Sequence, residues 1–143
     1  MPGNAFDGNT ATRWDTVQGV DQQWIYVDLG TSYPINQVVL QWEAAYAKAY
    51  QIQVSNDASS WSTVFSETNG NGGTDDITFS AINARYVRMY GTQRATSWGY
   101  SLWEFQVFGV TTLEPDAGFS VDQFNFGSID VGAVSNPASV VLT

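Results

Sequence analysis

The chain contains no cysteine and no histidine. Without thiols it has no disulfides and no thiolate chemistry. Without imidazole, Ser-His and Cys-His nucleophilic systems, His-ligated zinc and imidazole acid–base catalysis are all excluded within this chain. Any enzyme here would have to run on carboxylates or tyrosine. The missing disulfides do not argue against export. Basic residues are scarce as well: five against fourteen acidic ones leave a formal charge of −9. That field repels phosphate backbones and anionic membranes, so neither nucleic acid nor membrane is an expected partner. No apolar run approaches the length that spans a bilayer, and Met1-Pro2-Gly3 does not read as a signal peptide.

Aromatics are abundant. Six Trp, seven Tyr and eight Phe make up 15% of 143 residues, while charged residues make up 13%. This is the profile of an aromatic-rich β protein with one sizeable core. Strand patterns recur along the chain. In Trp24 to Gly30, alternation sets Trp24, Tyr26 and Asp28 opposite Ile25, Val27 and Leu29. Pro34 is expected to break the chain before a second strand, Ile35 to Trp42. Glu43 to Ala49 has helix-forming composition but spans barely two turns, and reads as a loop bearing Glu43 and Tyr46. Further strands are expected at Tyr50–Ser55, Trp61–Phe65, Asp75–Phe79, Ala84–Tyr90 and Tyr100–Phe108. Short strands, polar turns and no long helix point to an all-β fold, an antiparallel β-sandwich or jelly roll with its binding site on loops at one end.

The stretch Ala5 to Trp14 stands apart. Asp7-Gly8-Asn9 can bend sharply and aim several oxygens at one point, which serves either a hard cation such as Ca²⁺ or a plain surface turn. After Gly109 the character changes again. Residues 110–118 read as a linker, and 119–143 hold too few apolar residues for a core of their own. They are the start of a second β domain or an added strand segment.

Ala5-Phe6-Asp7-Gly8-Asn9 with Thr12-Arg13-Trp14, Trp24 to Gly30, Ala84 to Arg88, and Gly99 to Phe105 with Gly109 resemble a discoidin or coagulation factor C-type domain. Among these the chain is most similar to family 32 carbohydrate-binding modules, over residues 4–109 of a discoidin-like unit spanning 1–109. The pattern from Phe124 to Gly132, followed by Pro137 and Val140 to Thr143, resembles the opening strands of ASPM, SPD-2 and hydin-type immunoglobulin-like repeats. The first resemblance implies a structural Ca²⁺ held by the Asp7 carboxylate, the Asn4 and Thr12 carbonyls, an Asn9 oxygen, Glu104 and the Trp103 carbonyl. It also implies a secreted, extracellular module, its export signal outside this chain, covalently linked to a catalytic domain.

A glycan site needs an exposed aromatic beside fixed polar groups. Trp98 is the best platform and Tyr46 the next; Glu43, Asp21, Arg94 and Tyr100 are the polar candidates. Trp24, Trp61 and Trp103 sit in strand patterns and are expected in the core. Arg85 and Arg88 are expected to pair with strand carboxylates, and Asp75-Asp76 to cap a turn. The leading function is a non-catalytic module binding a polysaccharide or oligosaccharide, with chitosan or a neutral β-1,3-glucan as ligand. An adhesion or scaffold domain binding protein or cell-surface glycan is the alternative. A carboxylate glycosidase would need two facing acids in a cleft.

Overall fold

The computed structural model describes residues 1–110, together with the backbone of Phe124–Asn125 and Ala138–Val141. A short 3₁₀ turn, Pro2–Ala5, precedes β1 (Trp14–Asp15), β2 (Gln23–Trp42), β3 (Ala47–Ser55), β4 (Ser62–Glu67), β5 (Thr74–Arg94) and β6 (Ser101–Gly109). Beyond Val110, the expected linker and C-terminal segment lie outside the described residues, apart from β7 (Phe124–Asn125), paired to β6, and β8 (Ala138–Val141), paired in parallel to Ile25–Asp28 of β2.

The hydrogen-bonded order β1-β6-β2-β5-β3-β4 is antiparallel throughout. It is one continuous ladder folded into two layers, because β2 and β5 each belong to both. The first part of β2 lies on the last part of β5, from Gln23 opposite Gly91 to Asp28 opposite Tyr86, and β3 and β4 extend that layer. The second part of β2 runs between the start of β5 and β6, with β1 beyond β6. The expected break at Pro34 does not occur. Pro34 sits inside β2 opposite Asn83, between two register shifts, where the ladder tolerates a residue without an N–H, and its carbonyl accepts the Val110 N–H at 2.8 Å. The strands expected at Asp75–Phe79 and Ala84–Tyr90 likewise merge into β5, and Ala47–Ala49, expected in a loop, joins β3.

Alternation places the core as expected. Ile25, Val27 and Leu29 from the first half of β2 and Val38, Leu40 and Trp42 from the second half belong to one buried cluster, with Val87, Met89, Leu102, Phe105 and Val107. Trp14 and Trp42 are the buried tryptophans. Trp24, Trp61 and Trp103, expected in the core, are only half-buried. The first two share an outer sheet face with Arg88, whose guanidinium lies 4.0 Å from the Trp61 ring centre, 5.0 Å from Tyr90 and 5.7 Å from Trp24. Arg88 Nε donates to Gln53 Oε1 at 2.9 Å. Its partners are rings and an amide, and no carboxylate pairs with it among the described residues. Arg85 does take a strand carboxylate, bonding Asp28 at 2.7 and 2.9 Å. Burial alone would raise the Asp28 carboxyl, but the Arg85 guanidinium and the Gly30 N–H outweigh it and hold it below its usual range. Asp75 is no turn cap: it lies in β5 and accepts the Trp42 indole N–H at 2.8 Å and the Tyr50 hydroxyl at 2.6 Å.

Candidate functional site

Three connections gather at one end of the sandwich: 16–22 between β1 and β2, 43–46 between β2 and β3, and 95–100 between β5 and β6. Backbone bonds lock them together. The Thr16 N–H donates to the Tyr100 carbonyl at 3.0 Å, Glu43 N–H to the Ser101 carbonyl at 3.0 Å, Ser101 N–H to the Ala45 carbonyl at 2.7 Å, and Ala95 N–H to the Tyr46 carbonyl at 3.1 Å. Gly99 is the closest approach. A Cβ there would sit 2.2 Å from Thr16 Oγ1 and 2.7 Å from the Val17 carbonyl, so only glycine lets these two loops touch.

Between them lies a cleft of about 350 Å³, lined among others by Arg13, Asp15, Glu43, Ala44 and Trp98. Trp98 is 57% exposed, a ring offered to solvent at the mouth. Glu43 is held in place: its Oε2 accepts the Ala45 N–H at 3.0 Å. Its Oε1 stands 3.7 Å from Arg13 Nη1, beyond hydrogen-bond length. The Glu43 carboxylate is therefore aimed into the cleft with a loosely held counter-ion. Arg13 and Asp15 were not among the expected sugar contacts. The signal for Arg13 was present, since it closes the curl at Asp7 to Trp14.

Asp21 and Arg94, two more of the expected contacts, brace each other. Arg94 Nε donates to Asp21 Oδ1 at 2.8 Å, and its Nη1 reaches the carbonyls of Ser97 at 3.3 Å and Trp98 at 3.2 Å. The Arg94 backbone N–H and then its guanidinium lower the Asp21 carboxyl from its usual value. Tyr100, expected as a polar contact, is fully buried, and its hydroxyl donates to the Asp21 carbonyl. Burial raises its pKa, so it holds its proton. Tyr46 does not line the cleft; its ring packs where a side chain at Gly72 would fall. Thus Trp98, Glu43 and Tyr100 come together in the cleft, Asp21 and Arg94 brace the Trp98 loop beside it, and Tyr46 stands apart.

The curl forms as a hydrogen-bonded turn. Asp7 Oδ1 accepts the Asn9 N–H at 2.9 Å, Asp7 Oδ2 the Thr12 hydroxyl at 2.6 Å, and Asn9 Oδ1 the Ala11 N–H at 3.0 Å, with Gly8 at φ 71°. Asn4 Nδ2 donates to the Arg13 carbonyl at 2.9 Å. Glu104, on β6 beside the half-buried Trp103, turns its carboxyl toward Asp7. It is buried, and its Oε1 has no hydrogen-bond partner. Burial first, and then the facing Asp7, push its pKa up to about 7, against the N–H groups of Gly8 and Asn9 that pull it down. Two facing carboxylates, one with an unsatisfied buried oxygen and the other already bonded to the neutral Thr12 hydroxyl, suit a hard cation. Among the described residues no cluster of three or more acidic, histidine or cysteine side chains occurs, so a cation here would draw its remaining ligands from neutral oxygens.

Residues 4–89 match the family model described as NedA-like, galactose-binding domain, of the F5/8 type C group. The chain belongs to this family. Solved structures share the fold and extend the match beyond residue 89. At 57% identity and a TM-score of 0.74, the chain is similar to chitosan-binding module 1 of a chitosanase/glucanase from Paenibacillus sp. IK-5, with 76% of this chain and 85% of that one covered. Chitosan-binding module 2 of the same enzyme, solved in complex with chitotriose, matches at 56% identity and a TM-score of 0.72, covering 75% and 85%. Family 32 carbohydrate-binding modules match as well. The curated relative is the polysaccharide lyase 8 family protein HylA of Enterococcus faecalis (strain ATCC 700802 / V583), 34% identical over 113 residues. The match takes in 77% of this chain but only 8% of that lyase's length. The solved modules are carbohydrate-binding modules, not catalytic domains, and the chain is a discoidin-like β-sandwich of that kind.

Proposed function

We propose that this module binds chitosan through the cleft between the three loops. The observation that carries the reading is the pairing of an exposed Trp98 ring with the fixed, half-open carboxylate of Glu43. A pyranose lays its C–H face on the indole, and a protonated amino group replaces Arg13 as the partner of Glu43 Oε1. The charge of −9 draws a cationic polymer toward the cleft. The module does no bond breaking. It holds a linked catalytic domain of a secreted enzyme at its substrate, and the similarity to modules of a chitosanase/glucanase supports that setting.

Titration calorimetry with chitotriose tests the reading. Saturable binding that weakens as salt is added is the expected outcome, because an ion-paired amino sugar is screened. The second reading, a neutral β-1,3-glucan, draws support from the dual chitosanase/glucanase origin of the similar modules. It requires laminaritriose binding that does not change with ionic strength. Hydrolysis of either oligosaccharide by the purified chain would overturn both readings.

The Asp7 and Glu104 carboxylates, with the Asn4, Thr12 and Trp103 carbonyls and an Asn9 oxygen, would hold a structural Ca²⁺. The unpartnered Glu104 Oε1 supports this. Bound there, the ion neutralises two facing carboxylates and ties β6 to the first loop, stabilising the fold because only the folded chain assembles the ligands. Added CaCl₂ should raise Tm and chelator should reverse it, and Glu104→Gln should abolish the calcium-dependent part of the shift. A Tm indifferent to calcium would exclude the site.

A further inference from the structure

Among the described residues, the exposed large hydrophobic side chains are Met1, Val17, Val20 and Trp98. Three of these four stand on two touching loops. Val17 is 59% exposed and Val20 44%, and neither lines the cleft. Their loop is held firmly from below. Gln23, itself buried, donates from one amide nitrogen to Thr16 Oγ1 at 2.9 Å, to the Val17 carbonyl at 2.7 Å and to the Val20 carbonyl at 3.0 Å. Arg94 then ties Asp21 of this loop to the Ser97 and Trp98 carbonyls of the other, and Gly99 rests on Thr16 and Val17. These bonds tie the two loops to each other through Gln23, Arg94 and the backbone, so the exposed valines and the indole stand on loops fixed relative to one another.

We infer that Val17, Val20 and Trp98 form a docking rim for the face of an assembled, insoluble polysaccharide, distinct from the cleft that takes a single chain. The inference rests on the cleft reading above for the polymer's class. In solid polysaccharide, neighbouring chains pack side by side and present a sheet of axial C–H groups, which favours a broad apolar contact over one sugar-sized slot. The rim is continuous with the cleft through Trp98, which belongs to both. Because the rim is already rigid, docking costs little ordering entropy. The other occupants of an apolar tip fit the molecule less well: a charge of −9 opposes both acidic lipid and a second copy of this chain.

The test compares two forms of one ligand on the full chain carrying V17S and V20S together. Both positions are exposed, and the fold is checked by an unchanged Tm. Depletion from solution by insoluble chitosan should weaken about tenfold, the scale of a few tens of Å² of lost apolar contact at each residue. Calorimetric affinity for chitotriose should stay within about twofold. An equal loss for both ligands would overturn the inference by placing the valines in the single-chain site, and no loss for either would show that the rim touches nothing. Valine-dependent depletion by phosphatidylcholine vesicles, or valine-dependent dimerisation in sedimentation, would overturn it in favour of those partners. If the parent chain failed to bind chitotriose, the cleft reading would fall. The rim would then stand or fall on whether valine-dependent retention persists on insoluble chitosan or on insoluble β-1,3-glucan.

Discussion

Two tryptophan–arginine arrangements sit on this sandwich and do opposite things. On the outer sheet face, Arg88 spreads its guanidinium 4.0 Å from the Trp61 ring centre and fixes it further through Gln53, so cation and ring satisfy each other. At the loop end, Arg94 never covers the Trp98 ring. It spends its donors on Asp21 and on the carbonyls of Ser97 and Trp98, leaving the indole open to solvent. A half-buried tryptophan whose face is taken by the protein's own cation is packing; a tryptophan braced only through its backbone is available to a ligand.

That contrast can be broken by exchanging which property each residue controls. Arg88→Ala removes a cation–π partner from two tryptophans and leaves the Gln53 oxygen unpaired. It should cost about 2 kcal/mol of stability, a fall in Tm on the order of 10 °C in thermal denaturation, while chitotriose affinity holds. Trp98→Ala should do the reverse, weakening chitotriose about tenfold, about 1.4 kcal/mol, with Tm unmoved. If both variants lose stability and neither loses affinity, the two tryptophans are alike and the contrast fails. Arg94→Ala lies between. With the ring intact but its loop unbraced, affinity should drop about threefold by calorimetry through lost preorganisation.

The smallest effect sharpens the far end, where no ligand is expected. The N–H groups of Ser60 and Ser59 and the Ser55 hydroxyl hold the Asp57 carboxyl down to about 2. A depressed carboxyl pKa contributes stability that is present above the ordinary value near 4 and lost as pH falls through the folded value. Asp57→Asn keeps an acceptor for those N–H groups but cannot titrate. Denaturant melts between about pH 4 and 2 should therefore show a shallower acid loss in the variant, with glycan binding at neutral pH untouched.

How much of this was readable beforehand follows from where the information lies. The inward set Ile25, Val27 and Leu29, the sandwich class and the exposed Trp98 all came from local pattern, because alternation and loop punctuation are properties of a few neighbouring residues. What was misread depends on the strand opposite. Pro34 looked like a break because its tolerance depends on the irregular ladder facing it at Asn83. Arg88 looked like a carboxylate partner because nothing local says that Gln53 and Trp61 lie across from it. Tyr100 lines the cleft as its loop position suggests, but no local pattern says that its hydroxyl donates to the Asp21 carbonyl, 79 residues away in the chain. The polarity that marks Asp21 and Arg94 as candidate contacts also pairs them with each other across two loops, which no local pattern announces.

The passage of β2 and β5 through both layers has a mechanical consequence. With 20 and 21 residues respectively, each strand rivets one layer to the other. Neither layer can hinge away from its mate without tearing the ladder of both. The mouth above them cannot gape to admit a bulkier guest, so adaptation to different saccharides must come from exchanging residues on the connecting loops and not from breathing of the scaffold beneath.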